Sequence, residues 1–525
     1  MSDEGIAPNA KRLLFAGFMA ILAAGVGYSV RGGILGQWAE QFGFTMTELG
    51  AITGGGLTGF GIVIILTSLV ADKIGYGKLM VSAFGLHFIS AVITLAAPAA
   101  FAAGGKGAAF NCLFWGMFIF AVGNGLCEAV VNPLTATLFP KNKSHYLNIL
   151  HAGWPAGLVL GGLASAFMAA KTDATGTVVS AAVDWKIQMS LFLIPVIAYG
   201  VMLLGQRFPK SEAASAGVTL GEMVGTVFAP LMLVLLVIHA LVGYVELGTD
   251  SWISKITGSI MESPAAGLKL FVYTSLLMFC LRFVAGPIVH RISPLGLLFV
   301  SACLGAIGLT LLGGATTVMA CIIAATVYAL GKTFLWPTML AVASERFPKG
   351  GAVAIGMLGG VGMLSAGLLG GPAIGFKQDY NASANLKEIA PAAYDRYKAA
   401  NENTFFGFKT VGLDGAKVGV LEDGGKELKR AGDLLAKESK TDENHAKLAA
   451  WWEASKGEAE NDKKPVQKAG VFGGQMALKL TAYVPMAMAV LYLLLIIYFK
   501  MTGGYKALHV TGEQASGGVQ GPMGA

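Results

Sequence analysis

The sequence predicts an all-α polytopic membrane protein: twelve transmembrane helices in two six-helix pseudo-repeats, with a polar insert between helices 11 and 12. Three observations carry this. About twelve apolar stretches, each roughly 18–30 residues long, follow one another along the chain, and that is the length a helix needs to cross a hydrocarbon core ~30 Å thick. Of 525 residues, 54% are hydrophobic and only 13% are charged, too few charges to coat a soluble chain of this size. Segments of the second half also echo segments of the first.

The stretches read in order as Arg12–Gln37, Leu49–Val70, Leu79–Ala97, Cys112–Leu138, Leu150–Ala169 and Ile187–Leu204, then Met223–Ile253, Leu268–Val289, Leu295–Leu312, Val318–Phe347, Val353–Ile374 and Leu480–Phe499. The first is too long for a cleavable leader and serves as the insertion signal itself. Gly54-Gly55-Gly56, Gly161-Gly162 and Gly359-Gly360 suit close helix contact. The five cysteines have no CxxC spacing and sit within or at the edge of spans, so they read as packing residues; no metal site or cofactor is expected.

Basic residues set the orientation. Lys11, Arg12, Lys73, Lys78, Lys141, Lys143, Arg207, Lys210, Arg291, Arg346, Lys349, Lys500 and Lys506 fall on one side if the spans alternate. Both termini are therefore expected in the cytoplasm, with the protein in the inner membrane. The net charge of +7 follows from this asymmetry; scattered over short loops, these bases form no nucleic-acid patch. The expected units are residues 1–207 (first half), 208–222 (cytoplasmic linker), 223–376 (helices 7–11), 377–473 (insert, outer side), 474–501 (helix 12) and 502–525 (tail, Gly-rich and disordered from Thr511). Within the insert, Phe405-Phe406-Gly407-Phe408 and Gly412–Gly425 read as turns. Lys426–Lys456 reads as helix, with Leu428, Ala431 and Leu435 on one face. The bland expectation for it is a solvated decoration, the alternative a lid or docking module.

The internal repeat is visible in detail. Gly123 to Asn132 followed by Phe139-Pro140-Lys141 matches Gly331 to Pro337 followed by Phe347-Pro348-Lys349, although Phe208-Pro209-Lys210 also carries the tripeptide. Gly27-Tyr28 before Trp38 echoes Gly243-Tyr244 before Trp252. A six-plus-six duplication is the trace of transporters that bind solute between two halves near the midplane.

After the second stretch comes Ser68-Leu-Val-Ala-Asp72-Lys73-Ile-Gly75-Tyr-Gly-Lys78, with a decayed copy at Arg282-Phe-Val-Ala-Gly286-Pro-Ile-Val-His290-Arg291. This resembles the loop signature of the major facilitator superfamily, Gly-x-x-x-Asp-Arg/Lys-x-Gly, with Ser68 for the first glycine. The resemblance implies that Asp72 and Lys73 latch helices on the cytoplasmic side. A narrower resemblance lies in Glu128-Ala-Val-Val-Asn132-Pro133, which is similar to the Glu-x-x-x-Asn-Pro segment of the fucose, galactose and glucose proton symporters and implies that Glu128 is a protonation site. Arg31-Gly32-Gly33-Ile34 stands where fucose permeases carry an acid.

Ionisable residues inside spans are costly and point to function. Asn124, Glu128 and Asn132 form one polar stripe, suited to hydroxyl recognition beside a proton-coupling carboxylate. Tyr328, Lys332 and Trp336 form another, in which a cation and two aromatic faces suit a sugar ring. Tyr28 joins the expected substrate residues. Arg31 near the outer end of span 1 is expected to pair with Glu246 or Asp250 on span 7 as an outer gate, or to clamp a substrate anion. His151 is a titratable candidate near a span end. No Gly-x-x-x-x-Gly-Lys-Ser/Thr loop exists, since Thr326 stands where Gly331-Lys332-Thr333 would need its first glycine, so a nucleotide-driven pump is disfavoured. The sequence thus predicts a non-enzymatic secondary transporter whose partners are a small polar solute, protons and the lipid bilayer. A sugar is the leading solute, an organic anion held by Arg31 and Lys332 its rival. A non-transporting receptor is the second class.

Overall fold

The computed structural model describes residues 7–44, 46–53, 56–169, 171–172, 178–437, 441–510 and 523–524. Among them, twelve helices are long and apolar enough to cross a bilayer: span 1 (Ala10–Arg31, inside a helix continuing to Phe42), span 2 (Glu48–Ser68), span 3 (Tyr76–Leu95), span 4 (Ala97–Leu138), span 5 (Lys143–Met168) and span 6 (Trp185–Leu203), then span 7 (Pro230–Ile260), span 8 (Pro264–Arg282), span 9 (Ala285–Gly314), span 10 (Val318–Arg346), span 11 (Pro348–Ile389) and span 12 (Glu443–Met501). Most ends fall near the expected ones. Span 4 starts earlier, and Gly105 at φ 71° breaks it into two rods. Span 7 starts later, because Leu220–Val227 is a separate helix. Thr219 and Glu222 cap it reciprocally, and Pro230 opens the next.

Small residues decide how closely the spans approach. Span 1 lies on span 5 through Gly25 and Gly157; a Cβ on Gly157 would sit 2.7 Å from the Val26 nitrogen and 2.8 Å from the Gly25 Cα. Between the halves, Gly61 of span 2 meets Gly360 of span 11. Lipid tails are as apolar as leucine, so such backbone proximity supplies the packing that holds the bundle together. The expected contact glycines Gly54 and Gly55 lie outside the described residues. Two π-helical turns, Tyr244–Gly248 in span 7 and Ala366–Gly370 in span 11, meet at Gly248 and Gly370. Each turn shifts the phase of its helix by one residue, and the one in span 7 carries Glu246.

The described ends of the chain, from Ala7 and up to Val510, lie on one face. Asn9 Nδ2 donates to the Arg207 carbonyl (3.0 Å), Tyr505 Oη to Glu345 (2.6 Å) and the Val510 amide to Glu212 (3.0 Å). The tail from Thr511 to Gln520, expected to be disordered, lies outside the described residues. The insert occupies the opposite face. Its expected limits, 377 and 473, fall inside the unbroken helices Gly371–Ile389 and Ala459–Thr481, which pack side by side as a stalk. On the stalk, Leu386, Ala393, Tyr397, Leu421, Val466 and Ala469 build a small core. The stretch 412–425, expected as turns, contains the helix Gly415–Asp423. Asp414 caps it by accepting from the Ala416 and Lys417 amides, and only Gly424 and Gly425 turn at positive φ. The helix expected over 426–456 is two helices, Lys426–Lys437 and Glu443–Ser455. Arg430, held by Glu427 at 2.6 Å, reaches the carbonyl of Ala39 at 3.3 Å, so the insert touches both halves.

The helix 1–5 contact is testable. Gly157→Val should drive backbone from backbone and cost roughly 1–3 kcal/mol or more, read as a lowered melting temperature in detergent. Gly36→Ala, with nothing within 4 Å of the new methyl, should leave it unchanged. Equal effects of the two would contradict this packing.

Candidate functional site

Prolines in spans 5 and 10 create the centre of the molecule. Proline has no N–H, so the carbonyl four residues before it loses its helical partner. Pro155 frees the carbonyl of His151 and Pro337 frees that of Thr333, and both helices break there: Lys143–His151 gives way to Gly153–Met168, and Val318–Lys332 to Leu335–Arg346. Arg282, fully buried at the end of the Pro264–Arg282 helix, serves both. Its Nη1 donates to His151 O (2.5 Å) and its Nε to Thr333 O (2.9 Å), while Nη2 pairs with Glu246 (3.0 Å). One guanidinium therefore joins spans 5, 7, 8 and 10, and its bond to His151 crosses between the halves.

From His151 the network continues into span 4. Its Nε2 lies 2.7 Å from Asn132 Oδ1, and Asn132 Nδ2 donates to Glu128 Oε2 at 2.6 Å. Since the amide nitrogen faces the carboxylate, its oxygen faces His151, which makes Nε2 the protonated ring nitrogen. Asn124, the third member of the stripe, bonds elsewhere: its Oδ1 accepts from His87 Nε2 (3.0 Å), and His87 Nδ1 accepts from Tyr199 (2.9 Å).

The acids of span 7 have partners other than the one expected for them. Lys332 Nζ lies 2.5 Å from Asp250, and Glu246 pairs with Arg282, so Arg31 bridges neither in this structure. The guanidinium of Arg31 instead stacks on Phe120, 4.6 Å from the ring centroid, and its Nε and Nη2 have no protein partner. Tyr28, Trp154, Leu57, Leu158, Leu247, Phe271 and Asp250 line a pocket drawn from both halves, with Tyr28 and Trp154 rings 5.6 Å apart. The other expected solute residues are buried behind it. Tyr328 donates to Val245 O (2.6 Å), and Trp336 packs on His239 at 4.6 Å; neither His239 nitrogen has a protein partner.

On the terminal face, Asp72 accepts from Ser211 at 2.9 Å, at the start of the linker helix Glu212–Ser215, and burial pushes its carboxyl up against the lowering effect of that bond. Lys73 is exposed. Lys143 extends the contact across the halves, reaching Ser344 O (3.2 Å) and Glu212 (3.6 Å).

Three groups escaped the sequence reading: Arg282 figured there only in the decayed copy of the loop signature, and Trp154 and His87 were given no role. A partial signal for Arg282 was present: Pro155 and Pro337, among the prolines inside spans, each leave a carbonyl in need of a donor, and Arg282 was a span cation without an assigned role.

Removing Arg282 should therefore damage more than one contact. Arg282→Met leaves Glu246 buried and unpaired, at about 3–5 kcal/mol, and a matching fall in thermal stability is expected. Adding Glu246→Gln should recover a large part of it. If the double variant is no more stable than the single one, the ion pair is not what Arg282 contributes.

The profile of the Major Facilitator Superfamily matches residues 16–371. No curated protein matches the chain in sequence. Among solved structures, the chain is similar to FucP, a Major Facilitator Superfamily transporter in the outward conformation that is described elsewhere as the E. coli fucose:proton symporter. The identity is 16%, with 70% of this chain and 92% of that one covered at a TM-score of 0.56. It is also similar to the proton:xylose symporter XylE (15%, 70% and 89%, 0.56) and to the human organic anion transporter MFSD10 (12%, 92% and 100%, 0.57). At these identities the likeness is one of fold. The family assignment rests on the profile, which spans both six-helix halves up to span 11, and on that ground the chain belongs to the Major Facilitator Superfamily of membrane transporters.

Proposed function

We propose that this chain is a proton-coupled secondary transporter of a small neutral polar solute, a sugar, working by alternating access in the cytoplasmic membrane with both termini inside. The observation that carries the reading is the charge balance of the core. Among the described residues of the mid-span core, the cations Arg31, Arg282 and Lys332 stand with the acids Glu128, Glu246 and Asp250, three against three, and two of the cations are already paired. A balanced core has no standing demand for an anionic solute. Glu128, Asn132 and His151 form a chain that ends at Arg282. Protonating Glu128 removes the charge that strengthens its bond to Asn132, and a charge-assisted bond is roughly twice as strong as a neutral one. The weakened link runs through His151 to Arg282, which joins the halves at the centre. Tyr28 and Trp154 supply an aromatic edge on which the C–H face of a sugar can pack, and Asp250 supplies an acceptor for its hydroxyls. The solved relatives include two sugar:proton symporters.

A second reading, transport of an organic anion, is favoured by the free Nε and Nη2 of Arg31. Lys332 contributes less to it than expected, because Asp250 already holds it. MFSD10, one of the similar structures, is an organic anion transporter.

Uptake into proteoliposomes, with sugar and organic-anion panels and with or without a pH gradient, separates these readings. Glu128→Gln should abolish proton-driven accumulation while leaving counterflow exchange measurable; accumulation at the wild-type level would remove Glu128 from coupling. Trp154→Ala should weaken binding of a sugar at least tenfold, about 1.4 kcal/mol, whereas Arg31→Ala should do so only for an anion. Flux of neither class would leave the receptor reading.

A further inference from the structure

The insert carries an aromatic surface that its own fold does not use. Residues Asn403–Phe405 and Phe408–Thr410 pair antiparallel, with Phe405 opposite Phe408, and Phe406-Gly407 form the turn. Both turn residues have positive φ, 48° and 84°. Glycine or asparagine usually fills such positions, since a Cβ there is strained. Here the first is a phenylalanine, 75% exposed, with Phe408 at 68% beside it. Strain and exposure at one side chain are both unfavourable unless something covers the ring. The hairpin is two-sided: Phe405 and Phe408 share one face, while Thr404 and Lys409 pair on the other, where Lys409 meets Glu402 at 3.1 Å.

Its position says what covers it. Phe405 stacks on Phe376 of span 11 (5.8 Å, 28°), and Phe376 lies 6.1 Å from Tyr380. Pro372, Phe376 and Tyr380 recur every four residues, and all are at least partly exposed. This stripe points away from span 7, whose Trp252 bonds the Gly371 carbonyl at 2.8 Å, and away from span 12, whose Gly473 abuts Ala382. It continues the exposed apolar surface of Leu368 and Leu369. Trp252 marks the height: 22 residues beyond Pro230, it stands about 33 Å along span 7, one hydrocarbon thickness from the terminal face. Aromatic rings at that level are typical of the bilayer interface.

We propose that the Phe405–Phe408 hairpin is a membrane anchor: Phe406 and Phe408 enter the outer interface of the lipid bilayer and hold the insert against it. The partner is the headgroup and acyl boundary of the surrounding leaflet.

The test uses the full chain in phospholipid vesicles. With the five native cysteines replaced, a nitroxide at Phe406→Cys should collide more with oxygen than with a water-soluble nickel chelate, and one at Lys429→Cys on the helix Lys426–Lys437 should show the reverse. Nickel-dominated collisions at both sites would overturn the proposal, because the hairpin would then stand in water. Protection from both reagents at 406 would also overturn it, because protein would then cover the ring. Phe406→Asn, which suits the turn better, should shift a label at Phe408→Cys toward water; an unmoved label would overturn the anchoring role of Phe406. In the chain with its native cysteines, benzoylphenylalanine at 406 should photo-crosslink to phospholipid, whereas adducts to a second copy alone would overturn the proposal.

Discussion

The arrangement of the centre depends on how the Arg282 charge is accommodated. A guanidinium inside a bilayer is costly unless it finds acceptors, and this one finds two carbonyls and a carboxylate. The carbonyls exist because Pro155 and Pro337 withhold N–H groups from their own helices. What would be a defect in each helix, a bare carbonyl in a dry interior, is removed by the same side chain in both. The prolines, the breaks they cause and the arginine are thus parts of one solution.

That solution also has a mechanical side. Three of the four spans meeting at Arg282 belong to the second half, and only the bond to His151 reaches the first. Rocking of the halves can therefore stretch that bond while leaving the Glu246 pair and the Thr333 bond intact. Polar contacts near the terminal face, Lys143 to Ser344 O and Asn148 to Thr338, lie on the same side of the bundle and would part together with it. Spans 2 and 11 meet through small residues along their length, from Gly356 on Ser68 near the terminal face to Gly367 on Thr58 near the other, and Arg430 of the insert adds a polar tie on the opposite face.

How much of this was legible in the sequence follows from which forces act locally. Span existence was legible because hydropathy over some 20 residues is a local property. Ends were misplaced where a cap or a glycine decided them: the Thr219–Glu222 box detached a helix from span 7, and Gly105 hid the start of span 4. The insert limits fall inside helices because Gly371–Ile389 and Ala459–Thr481 stay helical after leaving the apolar layer, and composition changes there while conformation does not. Glu128 and Asn132 could be read as neighbours, being one turn apart, whereas the pairing of Asp250 with Lys332 and not Arg31 is a matter of tertiary distance. The aromatic residues misled for a related reason. Trp336 and Trp154 look alike in sequence, but His239 covers the first and Tyr28 opens the second to the pocket.

The same reasoning gives Arg31 a defined place. It is the remaining core cation without a carboxylate, and Phe120 offers it only the face of a ring, worth roughly 0.5–2 kcal/mol. Lys332 and Arg282 have consumed Asp250 and Glu246, so Glu128 is left to balance it at a distance through the bundle. If Glu128 carries the coupled proton as proposed, the core then holds one net positive charge, on Arg31, and a solute rich in acceptor oxygens lowers the cost of that charge without cancelling it. On the proposed coupling, proton and solute would be linked without touching, because each alters the electrostatic cost the other meets, and such a linkage is reciprocal as any coupling between two sites must be.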